Sequence, residues 1–302
     1  MNRIYTIKSL SNYVDLVAAL QPHNCEDCLF KDEIVFRGLS NSSYQLSPSL
    51  GRCPSQEWLN TLTMVEDDLV SRAIQKFPDL FANDDLPIAK LAKLQHFGIP
   101  TRLMDVTSNA LVALFFACQH FNESECCDGE VVAFSSYSLS AINPYVNIVA
   151  DTYRLTANAY TSIETYYYRA IQQYYSIILQ NRNWEKPSKA SIHRFIQKFN
   201  RPLLVDGFDA IARQKNQHGK YYLFPNKIIQ AEPDGNSYIS DGLVEMDKDD
   251  EMIIKRLIIP KEMKKEIVDK LRLFGISKEF LFADSIETVL ESVKQKQVNR
   301  FK

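Results

Sequence analysis

Residues 110–118, with the sequence ALVALFFAC, constrain the fold of this chain more than any other segment, because a helix over them is apolar on every side. Such a helix is stable only when other elements cover all of its faces. The residues before it carry ionisable or hydroxyl groups: His96, Thr101, Arg102, Asp105 and Thr107. So much polarity next to a core element indicates either a buried structural clasp or a functional site.

The size and composition of the chain favour a soluble protein with a substantial core. It has 302 residues, of which 45% are hydrophobic, and its formal net charge is −2. This charge argues against a protein that coats nucleic acid through bulk positive charge. The sequence contains no apolar run of roughly 18 residues, which a membrane helix needs, and its N-terminus lacks the layout of a secretory signal. We therefore predict a cytoplasmic protein with no membrane association.

The six cysteines predict neither a disulfide framework nor a metal centre. His23, Cys25 and Cys28 have partial zinc spacing, but no second Cys-x-x-Cys or His pair completes a tetrahedral site. The favoured interpretation is free thiols in a loop ahead of a strand, with zinc binding as the less favoured alternative.

Hydrophobic periodicity predicts one compact α+β domain over residues 1–302, with a small mixed or antiparallel sheet, flanking helices and a helical insertion. Helices are predicted over residues 9–20, 55–77 and 88–94, from Ala110 onward and after Pro260, and strands over residues 32–39, 130–138, 221–225 and 253–260. In the first strand Arg37 shares a face with Val35. Residues 95–107 are expected to form a loop that Gly98 and Pro100 shape.

Residues 150–200 are predicted to form a tyrosine-rich helical insertion within the domain. In the favoured interpretation these tyrosines pack at the margin of a core. The alternative is that they form a recognition surface for a macromolecule.

Five segments resemble the FRG domain family, in order along the chain. They are VFRG, LSPSLGR, LQHFGIPTRLMDVTSNALVALFFA, RQKNQHGKYYLFP and LIIPKEMKKEIVDKLRLFGISKEFLFAD, which together span roughly residues 33–285. The third segment carries the long and chemically mixed pattern Q-H-x-G-x-P-T-R-L-x-D-x-T. In the fourth, the spacing R-x-x-x-Q-x-G-x-aromatic is met by Arg213, Gln217, Gly219 and Tyr221. Val106 departs from the family pattern, because an aromatic residue is usual there.

The arrangement of these segments is similar to that of ADP-ribosyltransferases, which implies that NAD binds as a substrate. On this resemblance Arg37 clamps the pyrophosphate, and Thr107 holds the nicotinamide ribose or supports its strand. The residues expected to bind NAD are Arg37, His96, Thr101, Arg102, Asp105, Thr107 and Arg213. The residues expected to act in catalysis are Arg37, Thr107 and Gln217.

Gln217 stands where the resemblance places a catalytic glutamate. An amide can hold a ribose hydroxyl, but it cannot offset the positive charge that develops on the ribose when nicotinamide leaves. A carboxylate from Glu164, Glu245 or Asp105 would have to supply that charge. Without one of them, the pocket would bind NAD and remain catalytically silent.

The leading hypothesis is an ADP-ribosyltransferase-like enzyme that modifies a protein or a nucleic acid. Such an enzyme would suit a toxin or phage-defence effector, with an antitoxin-type partner. The alternative is a noncatalytic FRG module that recognises a nucleotide, an RNA or a protein through the same polar pocket. A purely structural interpretation also stands beside both, in which Arg37, Arg102 and Asp105 form a paired, buried clasp.

Overall fold

The chain is built around a mixed seven-stranded β-sheet. A computed structural model describes residues 3–23, 31–52, 62–82, 86–120, 127–153, 201–207, 212–230 and 238–282. The strands of the sheet are β1 (Ile4–Thr6), β2 (Glu33–Leu39), β3 (Leu103–Thr107), β4 (Gly129–Ser136), β5 (Leu203–Val205), β6 (Gly219–Leu223) and β9 (Ile253–Ile259). Their order is β1-β9-β4-β2-β3-β6-β5, with β1 and β9 parallel and the other neighbours antiparallel. Strands β7 (Asn226–Gln230) and β8 (Tyr238–Leu243) form a separate antiparallel pair.

Helices accompany the sheet, so the predicted α+β class is confirmed. They are α1 (Leu10–Ala18), α2 (Leu62–Lys76), α3 (Pro78–Phe81), α4 (Pro87–His96), α5 (Ala110–Ala117), α6 (Pro144–Ala150), α7 (Ala212–Asn216), α8 (Lys264–Leu273) and α9 (Lys278–Leu281). Short 3-10 turns cover Ser49–Gly51, Asp151–Tyr153 and Lys261–Met263. The predicted tyrosine-rich insertion lies almost entirely in residues 154–200, outside the described residues. None of the helices within the described ranges has the length and apolar character that a membrane span requires.

The helices that flank the predicted site begin and end where local chemistry requires it. The side chain of Asn109 accepts hydrogen bonds from the amides of Leu111 and Val112 and so caps the N-terminus of α5. Helix α4 ends at His96, and Gly98 follows with a φ of 80°, a conformation that favours glycine. The end of α4 and the capped start of α5 therefore fix the two ends of the segment between these helices.

Helix α5 lies directly on β2, and Gly38 makes this contact possible. A Cβ atom at position 38 would lie 2.0 Å from the carbonyl oxygen of Ala113. The glycine of the VFRG sequence therefore lets the helix backbone approach the strand more closely than any side chain allows.

Three hydrophobic clusters form the core. The first packs α4 and α6 over β3, β5 and β6, and the second packs α1, α5 and α8 over β1, β2, β4 and β9. Both lie on the same face of the sheet. The third covers the opposite face and joins side chains from β2, β3, β4 and β6. The two clusters of the helix-bearing face therefore meet at the boundary between β2 and β3.

Strand β3 corrects the expectation that residues 95–107 form a loop. Leu103–Thr107 pair with β6 along their whole length and lie in the interior of the sheet. Leu103 packs into the cluster on one face of the sheet, and Met104 and Val106 pack into the cluster on the other, as the two-residue period of a strand requires. The polar residues in this segment obscured that pattern.

Candidate active-site cleft

Strands β2 and β3 separate almost as soon as they meet, and this opens a gap in the sheet. Phe36 and Thr107 are the one register pair between these two fully described strands, whereas β2 pairs with β4 over seven residue pairs. The side chain of Arg37 lies in the gap, and its Nη1 donates a hydrogen bond to the backbone oxygen of Asp105. A guanidinium group therefore takes the place of ladder hydrogen bonds at the β2–β3 junction.

A cleft of about 220 Å³ lies at this junction, on the helix-bearing face of the sheet. The register of β2, β3 and β6 places Phe36, Asp105, Thr107 and Tyr221 on that face. The complete lining is Phe36, Arg37, Gly38, Gln95, His96, Asp105, Val106, Thr107, Phe116, Gln214, Gln217, Gly219 and Tyr221. Five residues predicted from the sequence thus come together there: Arg37, His96, Asp105, Thr107 and Gln217.

Arg37 is the main cation of the cleft. Its side chain is 15% exposed, and its buried Nε has no hydrogen-bond partner among the described residues. Nη1 lies 3.9 Å from Oδ2 of Asp105, which is longer than a direct charged hydrogen bond. Burial lowers the pKa of the guanidinium, Asp105 opposes that change, and the charge of Arg52 adds to it. An anion in the cleft would relieve this unfavourable environment.

Asp105 is the carboxylate of the cleft, and its side chain is 60% exposed. Its Oδ1 accepts a hydrogen bond of 2.7 Å from Nε2 of Gln95, at the end of α4. The oxygen of that same amide, Oε1, accepts a 2.5 Å hydrogen bond from the hydroxyl of Thr101. Thr101 itself is 1% exposed and does not line the cleft. It therefore contacts a residue of the cleft, and the expectation that it contacts NAD directly is wrong.

Thr107 and Gln217 connect β3 to the turn between α7 and β6. The hydroxyl of Thr107 donates a 2.7 Å hydrogen bond to the backbone oxygen of Gln217 and accepts one from the amide of Asn109. The side-chain amide of Gln217 donates to the backbone oxygen of Leu281 at 3.1 Å. Both residues line the cleft, and both also hold its wall in place.

Arg102 corrects the sequence-based assignment of an NAD-binding residue. It is fully buried, and its Nε lies 3.0 Å from each carboxylate oxygen of Glu66, which is also fully buried. Its Nη1 donates to Thr152 and to Asn226. With these donors engaged and no exposed surface, Arg102 cannot reach a ligand. A buried clasp therefore exists, but its acid is Glu66 rather than Asp105.

The remaining predicted residues fall in different places. His96 lines the cleft, and its ring makes an edge contact with Phe97 at 5.1 Å between centroids. Arg213 belongs to α7, but its side chain lies outside the described part of the chain, as does the whole of Glu164. Glu245 is exposed and absent from the lining. Of the two described carboxylates considered as substitutes for a glutamate, Asp105 lines the cleft and Glu245 does not.

Sequence reasoning placed residues 95–107 and 213–221 at the cleft but did not single out Gln95, Gln214 or Tyr221 within them, and it missed Phe116. Gln95 stands directly before His96 in the pattern that carried the family resemblance, so its position was a usable signal. Phe116 was assigned to the core because its helix is apolar on every side. Nothing local in the sequence indicates that one of these faces borders a cleft.

The described residues contain no group of three or more histidine, cysteine or acidic side chains that could hold a metal ion. Cys25 and Cys28 lie outside them. Within them, Cys118 is a buried free thiol and Cys127 an exposed one. Burial raises the pKa of Cys118 to about 12, although Lys264 opposes the change, so this thiol stays protonated near neutral pH.

A family model for the FRG domain matches residues 32–126 of the chain. This segment of the chain is similar to the FRG domain. The matched segment contains β2, α4, β3 and α5, and so it includes Arg37, Gln95, His96, Asp105 and Thr107 of the cleft. Gln217 lies outside the match, although the sequence resemblance extended to it. Comparisons with curated proteins and with solved structures found no match for the chain.

Proposed function

We propose that the cleft binds NAD and transfers its ADP-ribose group to a macromolecule. One observation carries the proposal: a buried arginine with an unpartnered Nε stands beside an exposed carboxylate in a single cleft. Breaking the bond between nicotinamide and ribose C1′ leaves positive charge on the ribose, and the phosphates of NAD carry negative charge throughout. Arg37 and Asp105 have the charges that stabilise these two parts.

Arg37 would hold the pyrophosphate of NAD. A guanidinium fork matches two phosphate oxygens, and Nε supplies a donor that the described residues leave unused. Arg52, whose charge acts on Arg37, follows a 3-10 turn that hydrogen bonds fix to the backbone of Thr101. Two neighbouring cations favour an anionic ligand over a neutral one.

Asp105 would supply the negative charge that Gln217 cannot. As the C1′–N bond breaks, its electron pair leaves with nicotinamide, and a carboxylate near C1′ stabilises the resulting cation. The acceptor then forms a bond to C1′ and loses its proton. Gln217 would align a ribose hydroxyl, although its amide is already bonded to Leu281.

The volume of the cleft fits one end of the dinucleotide. It is about 220 Å³, below the roughly 300–1,000 Å³ that is usual for pockets that enclose a whole ligand. The aromatic side chains of Phe36, Phe116 and Tyr221 supply apolar surface for the nicotinamide ring. The adenosine end would extend past the rim, toward the side from which the acceptor approaches.

The test is transfer of labelled ADP-ribose from NAD in a cell lysate, followed by separate digestion with protease and nuclease to tell a protein target from a nucleic-acid target. Asp105→Asn is expected to lower the rate by about a hundredfold or more, because it removes charge that acts in the transition state. Gln217→Ala is expected to lower it less. Asp15→Asn, on the exposed surface of α1, is the matched control and should leave transfer unchanged.

A noncatalytic nucleotide-binding module is the second candidate function, and the glutamine at position 217 favours it. Calorimetry with NAD separates the two candidates. NAD binding without transfer under any lysate condition would favour recognition without catalysis. If the protein neither binds NAD nor transfers ADP-ribose, NAD is refuted as the ligand.

Transfer of ADP-ribose to an essential macromolecule would suit a toxin or phage-defence effector that an antitoxin-type partner holds inactive. Growth arrest when the protein is expressed tests this role.

A further inference from the structure

A chain of hydrogen bonds runs from the backbone of β3 to the carboxylate of Asp105. The amide of Leu103 donates to the hydroxyl oxygen of Thr101 at 3.2 Å. Thr101 is connected to Gln95 at 2.5 Å, and Gln95 to Asp105 at 2.7 Å. The chain therefore links a buried strand amide to an exposed acid through two side chains.

The chemistry of its last member fixes the direction of this chain. A carboxylate can only accept, so the amide of Gln95 places its NH₂ toward Asp105 and its oxygen toward Thr101. A reversed amide would set two acceptors against each other at Asp105. The hydroxyl of Thr101 accepts from the amide of Leu103 and donates its proton to the oxygen of Gln95.

We propose that Gln95 and Thr101 are positioning residues that hold Asp105 in its catalytic orientation. The inference rests on the proposed function, because Asp105 has a catalytic task only if the cleft transfers ADP-ribose. Thr101 is almost fully buried, and its hydroxyl reaches Asp105 only by way of Gln95 in this chain of hydrogen bonds. Gln95 lines the cleft, and its amide sets where one oxygen of Asp105 lies.

The positioning matters because Arg37 competes for the same carboxylate. Oδ2 of Asp105 is 3.9 Å from Nη1 of Arg37, while Oδ1 is held by Gln95. Without Gln95 the half-exposed carboxylate can rotate into a direct ion pair with Arg37 at about 2.8 Å. Such a pair would neutralise the acid and would occupy the cation that binds phosphate. Gln95 therefore keeps the two charges apart.

The first test compares Thr101→Val with Thr101→Ser in steady-state transfer assays. Valine has the shape of threonine without its hydroxyl, so the oxygen of the Gln95 amide loses the donor that holds it in place. We expect kcat to fall by about tenfold, while KM for NAD stays within about twofold. Thr101→Ser keeps the hydroxyl and should recover most of the lost rate. Equal losses in both variants would overturn the proposal, since packing rather than the hydroxyl would then be responsible.

The second test changes the amide itself. In Gln95→Glu the new carboxylate still accepts from Thr101, but it cannot donate to Asp105 and repels it. We expect a loss in kcat of roughly a hundredfold. Gln75→Glu introduces the same charge on the exposed surface of α2 and should have no effect. Unchanged kcat in Gln95→Glu would refute the positioning role.

A third measurement separates this inference from the proposed function, because it needs no turnover. In NMR spectra of the full chain, the NH₂ protons of Gln95 should exchange slowly with solvent, and Thr101→Val should make them exchange several-fold faster. If they are already fast in the wild-type protein, the hydrogen-bond chain is not formed and the inference fails. If they are slow and the wild-type protein transfers no ADP-ribose, the orientation of Asp105 by Gln95 stands and the transferase function falls.

Discussion

At the scale of single residues, two buried arginines differ in how completely their guanidinium groups are hydrogen-bonded. All three guanidinium nitrogens of Arg102 donate hydrogen bonds, and its acid Glu66 is as deeply buried as it is. Arg37 is nearly as buried, but it has an unpartnered Nε and an acid that lies 3.9 Å away. A fully satisfied charge stabilises a fold, whereas an incompletely satisfied one retains the capacity to bind a ligand.

The substitution Arg37→Lys tests whether the guanidinium group of Arg37 binds NAD. Lysine keeps the charge but not the planar fork, so NAD affinity measured by calorimetry is expected to fall by about tenfold. The melting temperature should change little, because the cation is retained. Arg201→Lys, on an exposed arginine that pairs with Glu251, is the control and should bind NAD normally. A variant that melts much earlier yet binds NAD with full affinity would contradict this view of Arg37.

Glu66→Gln tests the clasp. Removing one charge from a buried pair leaves the other unpaired, which costs about 3–5 kcal/mol in the free energy of unfolding. Asp68→Asn on the same helix breaks an exposed pair with Arg72 and should cost less than about 1 kcal/mol. Urea unfolding measures both. Equal and small losses would show that the clasp contributes little to stability.

The sequence allowed one of these two roles to be predicted and not the other. Arg37 lies in strand β2, and the sequence itself indicates which side chains of this strand share a face. Its place near a site was therefore a reasonable inference. Arg102 lies 36 residues from Glu66 and 124 from Asn226. Contacts at such separations depend on the tertiary fold, and no local pattern identifies the acid that pairs with a buried arginine.

At the scale of elements, the contact between β2 and α5 depends on one missing side chain. Gly38→Ala would place a methyl group 2.0 Å from a backbone oxygen of α5, and neither backbone can move without disturbing the core. We expect a loss of about 3 kcal/mol or more in the free energy of unfolding, at the upper end of overpacking costs. Gly98→Ala, at a φ of 80° with open space around it, should cost only about 1 kcal/mol. Comparable losses for both would mean that the helix is not held against the strand as described.

The helices and strands also differ in how clearly their sequences predict them. The capped helix α1, strands β2, β4 and β9, and helix α5 follow plain apolar patterns and were predicted. Strand β3 was not, because Asp105 and Thr107 line the cleft and interrupt its apolar character. Sequence patterns therefore fail readily where polar residues of a cleft replace the apolar residues of a strand.

At the scale of the whole molecule, the thiol of Cys118 reports on global unfolding. It is fully buried in the cluster around α5, and burial raises its pKa to about 12. Iodoacetamide at pH 8 should therefore alkylate exposed Cys127 quickly and Cys118 only when the core opens, as mass spectrometry of the peptides can establish. Fast labelling of Cys118 without denaturant would contradict this packing.

The burial of ionisable groups also decides whether alkaline pH raises or lowers the free energy of unfolding. Cys118, Tyr13 and Tyr222 all have raised pKa values because of burial. The unfolded chain ionises these groups first, so their contribution to stability is complete below their ordinary pKa values and is lost as the pH rises above them. The free energy of unfolding should fall steadily from about pH 9 upward. Stability that rises over this range would refute the assignment.

The narrow contact between β2 and β3 also has a mechanical consequence. The strands β1-β9-β4-β2 and β3-β6-β5 form two halves. Among the contacts that join them across the β2–β3 line are one register pair, the hydrogen bond from Arg37 and an ion pair of 2.6 Å between Lys220 of β6 and Glu33 of β2. The hydrophobic cluster on the opposite face spans the division and holds the halves together from behind. Under a pulling force applied across the sheet, the first rupture should therefore occur along this line. A molecule lodged in the cleft would touch both halves and raise the force needed to part them.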